Sequence, residues 1–498
     1  MNVNPITRLD YPDPDVIRVE DTYYMVSTTM HFMPGCEILQ SFDLVHWEHV
    51  TYVYETLDHT DAQQLKSGHN IYGQGMWAAS LRYHEGRFYI CFVANDTRKT
   101  YLYTSEKIDG PWKKQLIEGF YHDGSLLFDE DGRNYIVYGN DEIWITELNE
   151  DLTAPKKGGL HRLLVSDHKN PELGYEGSHI QKINGYYYIF LVHSLRDRWM
   201  RTEACFYSDS LEGEFTGGDV LCDDRGYCGQ GVAQGGIVDT PDGKWYAMLF
   251  QDSGAVGRIP ILLPVTWKDH FPVFGQNGHV PEEIEVHSTR PGYIYQPLVG
   301  SDDFCNGLLP RWQFNHDPDP RYYHLDALQG TYTITTREVC TELTQAVNTL
   351  TQRMSYPSCA AEVTVDASAL KEGDVAGLCA LQGCYAAVGI TKHHGKYEVL
   401  MLDKKEDGIL DMTEGTVVES HQMDFRLEAD FCNMKDEARC YYRVNKGDWL
   451  PIGTVHKLYF KLDHFTGCRF GLFCYAAEET GGSACFRDFK YYDVDEIS

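Results

Sequence analysis

Apolar residues along this chain fall in short, strand-length runs bounded by turn residues, and helix signals are scarce. Tyr186–Val192 is among the longest apolar runs and has the length of one strand. The turns between runs repeat. A turn residue, a variable residue, an aromatic or polar residue and then Tyr precede an apolar strand five times. The copies are Asp21-Thr22-Tyr23-Tyr24, Gly86-Arg87-Phe88-Tyr89, Gly132-Arg133-Asn134-Tyr135, Gly185-Tyr186-Tyr187-Tyr188 and Gly243-Lys244-Trp245-Tyr246. Their tyrosines lie 65, 46, 53 and 58 residues apart, a period that suits one four-stranded propeller blade. Asp131-Gly132, Asn184-Gly185 and Asp242-Gly243 predict tight hairpins within three of the copies.

Eleven or twelve residues before each of these tyrosines stands the first residue of another strand-length segment: Asp13, Trp77, Asp123, Glu176 and Gln234. In the last four copies small residues follow, as crowded backbones near a propeller axis require. Equivalent positions in successive blades of a closed ring lie at one height, so these five side chains are expected to ring one mouth of the central channel. A single Asp before a strand is most simply a turn residue. Three acids in one register of a five-fold repeat point instead to a site. Ser41–Trp47, Ser105–Trp112 and Ser208–Phe215 read as outer-strand turns ending in an aromatic that packs between blades.

The repeat disappears after about Val299. Strand-like runs follow at Thr331–Thr336, Ala360–Val365, Ala376–Leu381, Ala386–Thr391, Tyr397–Leu402, Leu458–Leu462 and Phe470–Tyr475, separated by turn clusters. The expected fold is all-β: a five-bladed β-propeller over residues 1–298, then a β-sandwich of jelly-roll or concanavalin-like type over 299–498. That second domain presents no candidate chemistry, and His393-His394 reads as a solvated turn. The sandwich is expected to close one rim of the propeller's pocket or to mediate contacts in a homo-oligomer.

A chain of 498 residues with a formal charge of −31 repels phosphate backbones and anionic lipid, which argues against nucleic-acid and membrane partners. It does not exclude a neutral ligand. The fifteen cysteines lack metal-ligand spacing and read as free thiols of a reducing compartment. With no basic–apolar leader at Met1-Asn2-Val3-Asn4-Pro5, the expected location is cytoplasmic.

Acids at one mouth can grip a hard cation or run acid–base chemistry. A cation wants six or more oxygens, which a tryptophan and small residues do not supply. Glycosidic cleavage needs a proton donor and a second carboxylate, and crowding of like charges keeps one acid protonated. An indole offers a stacking face to a sugar ring. Hydrolysis of carbohydrate is the best match to the pattern.

The blocks Tyr11-Pro12-Asp13-Pro14-Asp15, Trp77-Ala78-Ala79-Ser80, His122-Asp123-Gly124-Ser125 and Tyr175-Glu176-Gly177-Ser178-His179 resemble the signatures of glycoside hydrolase family 43. So does Gly257-Arg258 followed by Pro264-Val265-Thr266-Trp267, and the region from Ser301 is similar to the C-terminal sandwich of that family's xylosidases and arabinofuranosidases. The resemblance implies an inverting, exo-acting hydrolase of small oligosaccharides, with Asp13 as general base, Glu176 as general acid and Asp123 orienting and tuning the acid. It implies that Arg258 reaches substrate hydroxyls or Asp123, and that Trp77 and Phe32 line the sugar pocket with Gln234. Asp15 competes for the base role but lies outside the register shared by Asp13, Asp123 and Glu176. Many relatives carry a histidine near a central cation where this chain has Gln234, so no cofactor is expected and a channel calcium ion lacks support. α-L-Arabinofuranose is preferred over β-D-xylose as the released sugar. A retaining fructan hydrolase and a non-catalytic carbohydrate-binding propeller are the alternatives.

Overall fold

A computed structural model describes residues 2–413 and 415–493. Five four-stranded antiparallel sheets follow one another in chain order, each with its strands arranged consecutively from the axis outward. Their innermost strands are Asp15–Val19, Met76–His84, Ser125–Phe128, Glu176–Ile183 and Val232–Asp239. These are the five blades. Buried aromatics join them as the turn motifs predict. Trp47 packs with Val238 and Tyr246 of the fifth blade, closing the ring, and Phe215 packs with Leu127 and Tyr135 of the third.

The hairpin turns differ in detail from expectation. Asn184-Gly185 is a two-residue turn, with both residues at positive φ (50° and 85°) and Ile183 paired to Tyr186. The Asp-Gly turns are longer: Phe128 pairs with Asn134 and Asp239 with Trp245, leaving five residues in each loop. There only the glycine takes positive φ, so the strands close through a wider turn.

The second domain is a sandwich of a nine-stranded and a seven-stranded sheet around the chain's largest apolar cluster, which includes Trp312, Phe425, Phe470 and Phe486. Leu458–Leu462 is not a strand. It leaves the sheet after Leu450–Lys457 and forms a loop. All fifteen cysteines are unpaired. No helix among the described residues is long and apolar enough to cross a membrane.

The domains share hydrogen bonds as well as apolar contact. Phe32 and Met33 of the first blade pair with Asn315 and Phe314, and so add a strand to the nine-stranded sheet. Asp10 accepts the backbone N–H groups of Arg258 (2.7 Å) and Gly467 (2.8 Å), tying the fifth blade to the sandwich. Arg353 of the sandwich lies 2.8 Å from Glu37 in the first blade and 4.1 Å from the Tyr11 ring centroid. Burial resists charge on Glu37, but Arg353 and His49 outweigh it and hold the carboxyl down at about 2.

Breaking that pair should be costly, because the remaining charge has no water to turn to. Arg353→Met is expected to lower unfolding free energy by roughly 3–5 kcal/mol, and adding Glu37→Gln should recover most of the loss. Denaturant midpoints measure both effects. An unchanged midpoint in the single variant would contradict the pairing.

Candidate active site

The site is built where each innermost strand begins. Asp13, Asp123 and Gln234 hold left-handed backbone there, at φ of 52°, 48° and 63°, and Gly177, next to Glu176, is at 66°. For a non-glycine residue this conformation costs on the order of 1 kcal/mol or more, and such strain concentrates at functional sites. Pairing registers also slip between Met76 and Ala79, Glu176 and His179, and Ala233 and Gly236. These bulges come at matching positions in three blades and re-aim the side chains of Trp77, Glu176 and Gln234. A Cβ at Gly177 would lie 2.7 Å from Cγ of Gln234, so only glycine fits between them.

Asp123 and Glu176 meet through one imidazole. His122 Nε2 lies 3.4 Å from Glu176 Oε2 and 3.5 Å from Asp123 Oδ2. Asn140 donates to the same Glu176 oxygen at 2.9 Å, and the Gly177 N–H donates to Asp123 Oδ2 at 2.9 Å. Burial, followed by the charges of Glu176 and Asp13, pushes Asp123 up to about 6 against the pull of His122 and the Gly177 amide. Burial disfavours charge on His122, but Asp123, Glu176 and Asp13 outweigh it and raise it to about 9. Asp13 is 5% exposed; its Oδ1 accepts from Arg258 at 2.9 Å and its Oδ2 from the Thr28 hydroxyl at 2.6 Å.

Arg258 therefore reaches Asp13 and not Asp123. Ring closure explains the difference: Arg258 opens a strand of the fifth blade, and its carbonyl accepts the N–H of Tyr11, two residues before Asp13 in the first. Asp15 is taken up elsewhere, by Arg82 (2.8 Å), His179 (3.1 Å) and the Leu81 N–H (2.7 Å). Burial opposes its charge, yet Arg82 and His179 keep the carboxyl below its usual range. Phe32 is 1% exposed and packs in a cluster with Leu381, Tyr385 and Phe473 of the sandwich, under the Arg469 guanidinium at 3.4 Å. Its contacts are those of the domain interface. Gln234 lays its side chain against Gly177, and its N–H donates to buried Glu203 at 2.7 Å.

A cavity of about 520 Å³ opens at Glu176, lined by Trp77, His122, Asn140 and Glu176 on the propeller side; Asp13 and Asp123 lie behind its lining residues. Its outer wall comes from the sandwich, from Phe460, Lys461, Leu462 and Phe465. Phe465 links the two halves of the site, with its ring centroid 5.7 Å from that of Trp77 and 4.3 Å from the Arg258 guanidinium carbon. Phe465 and Asn140 carry no signal in the sequence repeat. His122 does, because it adjoins Asp123.

His122, Asp123 and Glu176 also offer three donor atoms within 4.8 Å of one another, the one such group among the described residues. Three donors are half of what calcium requires, and one of the three is an imidazole nitrogen where calcium takes oxygen. The residues present do not fit calcium.

The family model for glycosyl hydrolases family 43 matches residues 3–272, and that for a beta xylosidase C-terminal concanavalin A-like domain matches 301–492. The chain belongs to glycosyl hydrolase family 43. It is a glycoside hydrolase. A beta-xylosidase of Formosa agariphila is 27% identical over 99% of this chain and 89% of its own length. A non-reducing end alpha-L-arabinofuranosidase of Bacteroides ovatus is 26% identical over 66% of this chain and 63% of its own. A solved chain described as a bifunctional GH43-CE of Bacteroides eggerthii superimposes with a TM-score of 0.92 at 42% identity, covering all of this chain. This chain spans only 64% of that protein's length.

In this family 43 chain the sandwich supplies part of the site, and Phe465→Ala tests its share. Loss of one aromatic wall costs about 1.5–3 kcal/mol of contact, so KM for an aryl pentoside should rise roughly tenfold or more. Steady-state kinetics with an unchanged melting temperature would locate the effect in the pocket; an unchanged KM would place Phe465 outside the binding surface.

Proposed function

We propose that the chain is an exo-acting, inverting hydrolase that releases a terminal pentose from hemicellulose-derived oligosaccharides, α-L-arabinofuranose before β-D-xylose. The observation that carries this reading is the pairing of Glu176 and Asp123 through His122, beside a cavity whose far side the sandwich closes. A pocket walled on that side supports removal of chain ends. Relatives named for both activities support a pentose.

Glu176 protonates the leaving oxygen as the bond to the anomeric carbon breaks. A water attacks the opposite face of that carbon and gives its proton to Asp13, whose carboxylate Arg258 and Thr28 hold in place. Inversion requires the Asp13 and Glu176 carboxyls to stand roughly 6.5–9.5 Å apart, which leaves room for the water. Trp77 faces the sugar. Asp123, fixed by the Gly177 N–H, keeps negative charge beside the donor. No step is assigned to a metal.

Glu176→Ala should nearly abolish turnover of xylobiose or arabino-oligosaccharides, by about 10²-fold or more, and spare 2,4-dinitrophenyl pentosides, whose leaving group needs no proton. Equal damage to both would remove Glu176 from the donor role. In the unaltered enzyme kcat/KM should be bell-shaped, because the base Asp13 must be ionised and the acid Glu176 protonated, and burial that raises Asp123 adds to the loss on the acid side. Proton NMR of the first-formed sugar anomer decides inversion, and parallel assays on the α-L-arabinofuranoside and β-D-xyloside decide the sugar.

A further inference from the structure

His122 is half-hidden at the cavity wall, with 18% of its side chain exposed and its ring centroid 5.8 Å from that of Trp77. Its Nε2 faces two carboxylates from different blades, 3.4 Å from Glu176 Oε2 and 3.5 Å from Asp123 Oδ2. A protonated imidazole donates through Nε2, and Oε2 accepts whether Glu176 is ionised or carries its proton on Oε1. Asn140 brings a second donor to Glu176 Oε2 at 2.9 Å. Both donors converge on one oxygen of the carboxyl group. The other, Oε1, is the oxygen left for a transferable proton.

We propose that His122 is a positioning residue of the reaction: its Nε2–H, together with Asn140, pins Oε2 of Glu176, leaves Oε1 to carry the proton delivered to the leaving oxygen, and governs how readily that proton departs. This rests on the reading of Glu176 as the proton donor.

The charges around the ring support the same role. Asp123, Glu176 and Asp13 all favour the protonated imidazole, which is held at about 9. The other charged groups lining the cavity are Arg201 and Asp252, which pair with each other at 2.9 Å, Lys461, which pairs with Glu406, and Glu172. His122 therefore holds its proton more readily than a free imidazole. A cation beside an acid favours the acid's ionised form, whereas an anion such as Asp123 opposes it. The two neighbours pull in opposite directions on the same donor.

Two variants separate the roles. His122→Asn keeps a neutral donor, and His122→Phe keeps only a flat ring. Both remove the cation, so in both the alkaline limb of kcat/KM should move to higher pH by about one unit. His122→Phe also frees Oε2, and its kcat on xylobiose should fall about tenfold or more with KM little changed; His122→Asn should retain more of that kcat. Turnover of 2,4-dinitrophenyl pentosides should be nearly unaffected in each. Melting temperatures within a few degrees of the unaltered enzyme confirm that the variants fold, and if His122→Phe does not, the pH limb of His122→Asn decides alone. An alkaline limb that stays in place in a folded variant overturns the proposal, as does a loss seen only in KM. Glu176→Ala in the same assay keeps the two readings apart. If that variant spares activated substrates and loses its alkaline limb while His122 variants do not move theirs, the donor stands and the role of His122 falls. If it does not spare them, the donor assignment itself fails.

Discussion

Closing five sheets around one axis removes the freedom of each innermost strand to slide along it. Residues at or just before the starts of these strands are brought together: His122 Nε2 lies within 3.5 Å of both Asp123 and Glu176, and Trp77 and Glu176 line one cavity. The chemistry of the site follows from this constraint and a small number of backbone devices. At Asp13, Asp123 and Gln234 the chain adopts left-handed backbone, and in three blades a bulge contains or directly follows the site position. Such conformations cost free energy locally. They persist because the strands that follow are buried between blades, as at Val16, Leu81, Leu126, Ile180 and Ile237.

Within that ring, no site carboxylate stands alone. Asp13 is paired with Arg258, Asp123 and Glu176 share His122, and Asp252 holds Arg201. A protein with a formal charge of −31 thus gathers cations where its acids are most crowded. Buried charges interact more strongly than exposed ones, so small changes in these contacts act on proton affinity more than on the fold. Asp15 shows the contrast. It lies only two residues from Asp13, but Arg82, His179 and a backbone N–H engage it fully, and it serves as a structural anchor.

The repeat and the register were legible in the sequence because each blade restates them, with tyrosines at the hairpins and one distinct residue at each strand start. Where a feature depends on contact between distant segments, the repeat carries no trace of it. The Arg258–Asp13 pair crosses the ring closure, 245 positions apart, and the family resemblance, which assigned the arginine to substrate hydroxyls or Asp123, did not indicate it. Phe32 reads as a pocket aromatic until the pairing of its strand with the sandwich is known. Leu458–Leu462 has the apolar content of a strand because Phe460 and Leu462 face a cavity wall, and apolar content alone does not distinguish the two uses. The two Asp-Gly hairpins differ from expectation by loop length, which the dipeptide does not encode.

The second domain owes its place in the site to how firmly it is held. An aromatic wall 4.3 Å from Arg258 and beside Trp77 is useful only if its position is reproducible to a fraction of an ångström. Phe465 sits on a loop, yet its flank is fixed: Gly467, two residues on, donates its N–H to Asp10, which also receives the N–H of Arg258. One carboxylate thus registers the loop of the sandwich against the strand that carries the arginine. The strand added by Phe32–Met33 and the buried Glu37–Arg353 pair hold the same interface from the first blade. A hinge at this interface would move Phe465 away from both Trp77 and Arg258, and would let water reach the acids that burial now influences. The described residues with which the sandwich lines the cavity include no carboxylic acid or histidine, but the loop held by Asp10 places Phe465 against the propeller side of the site.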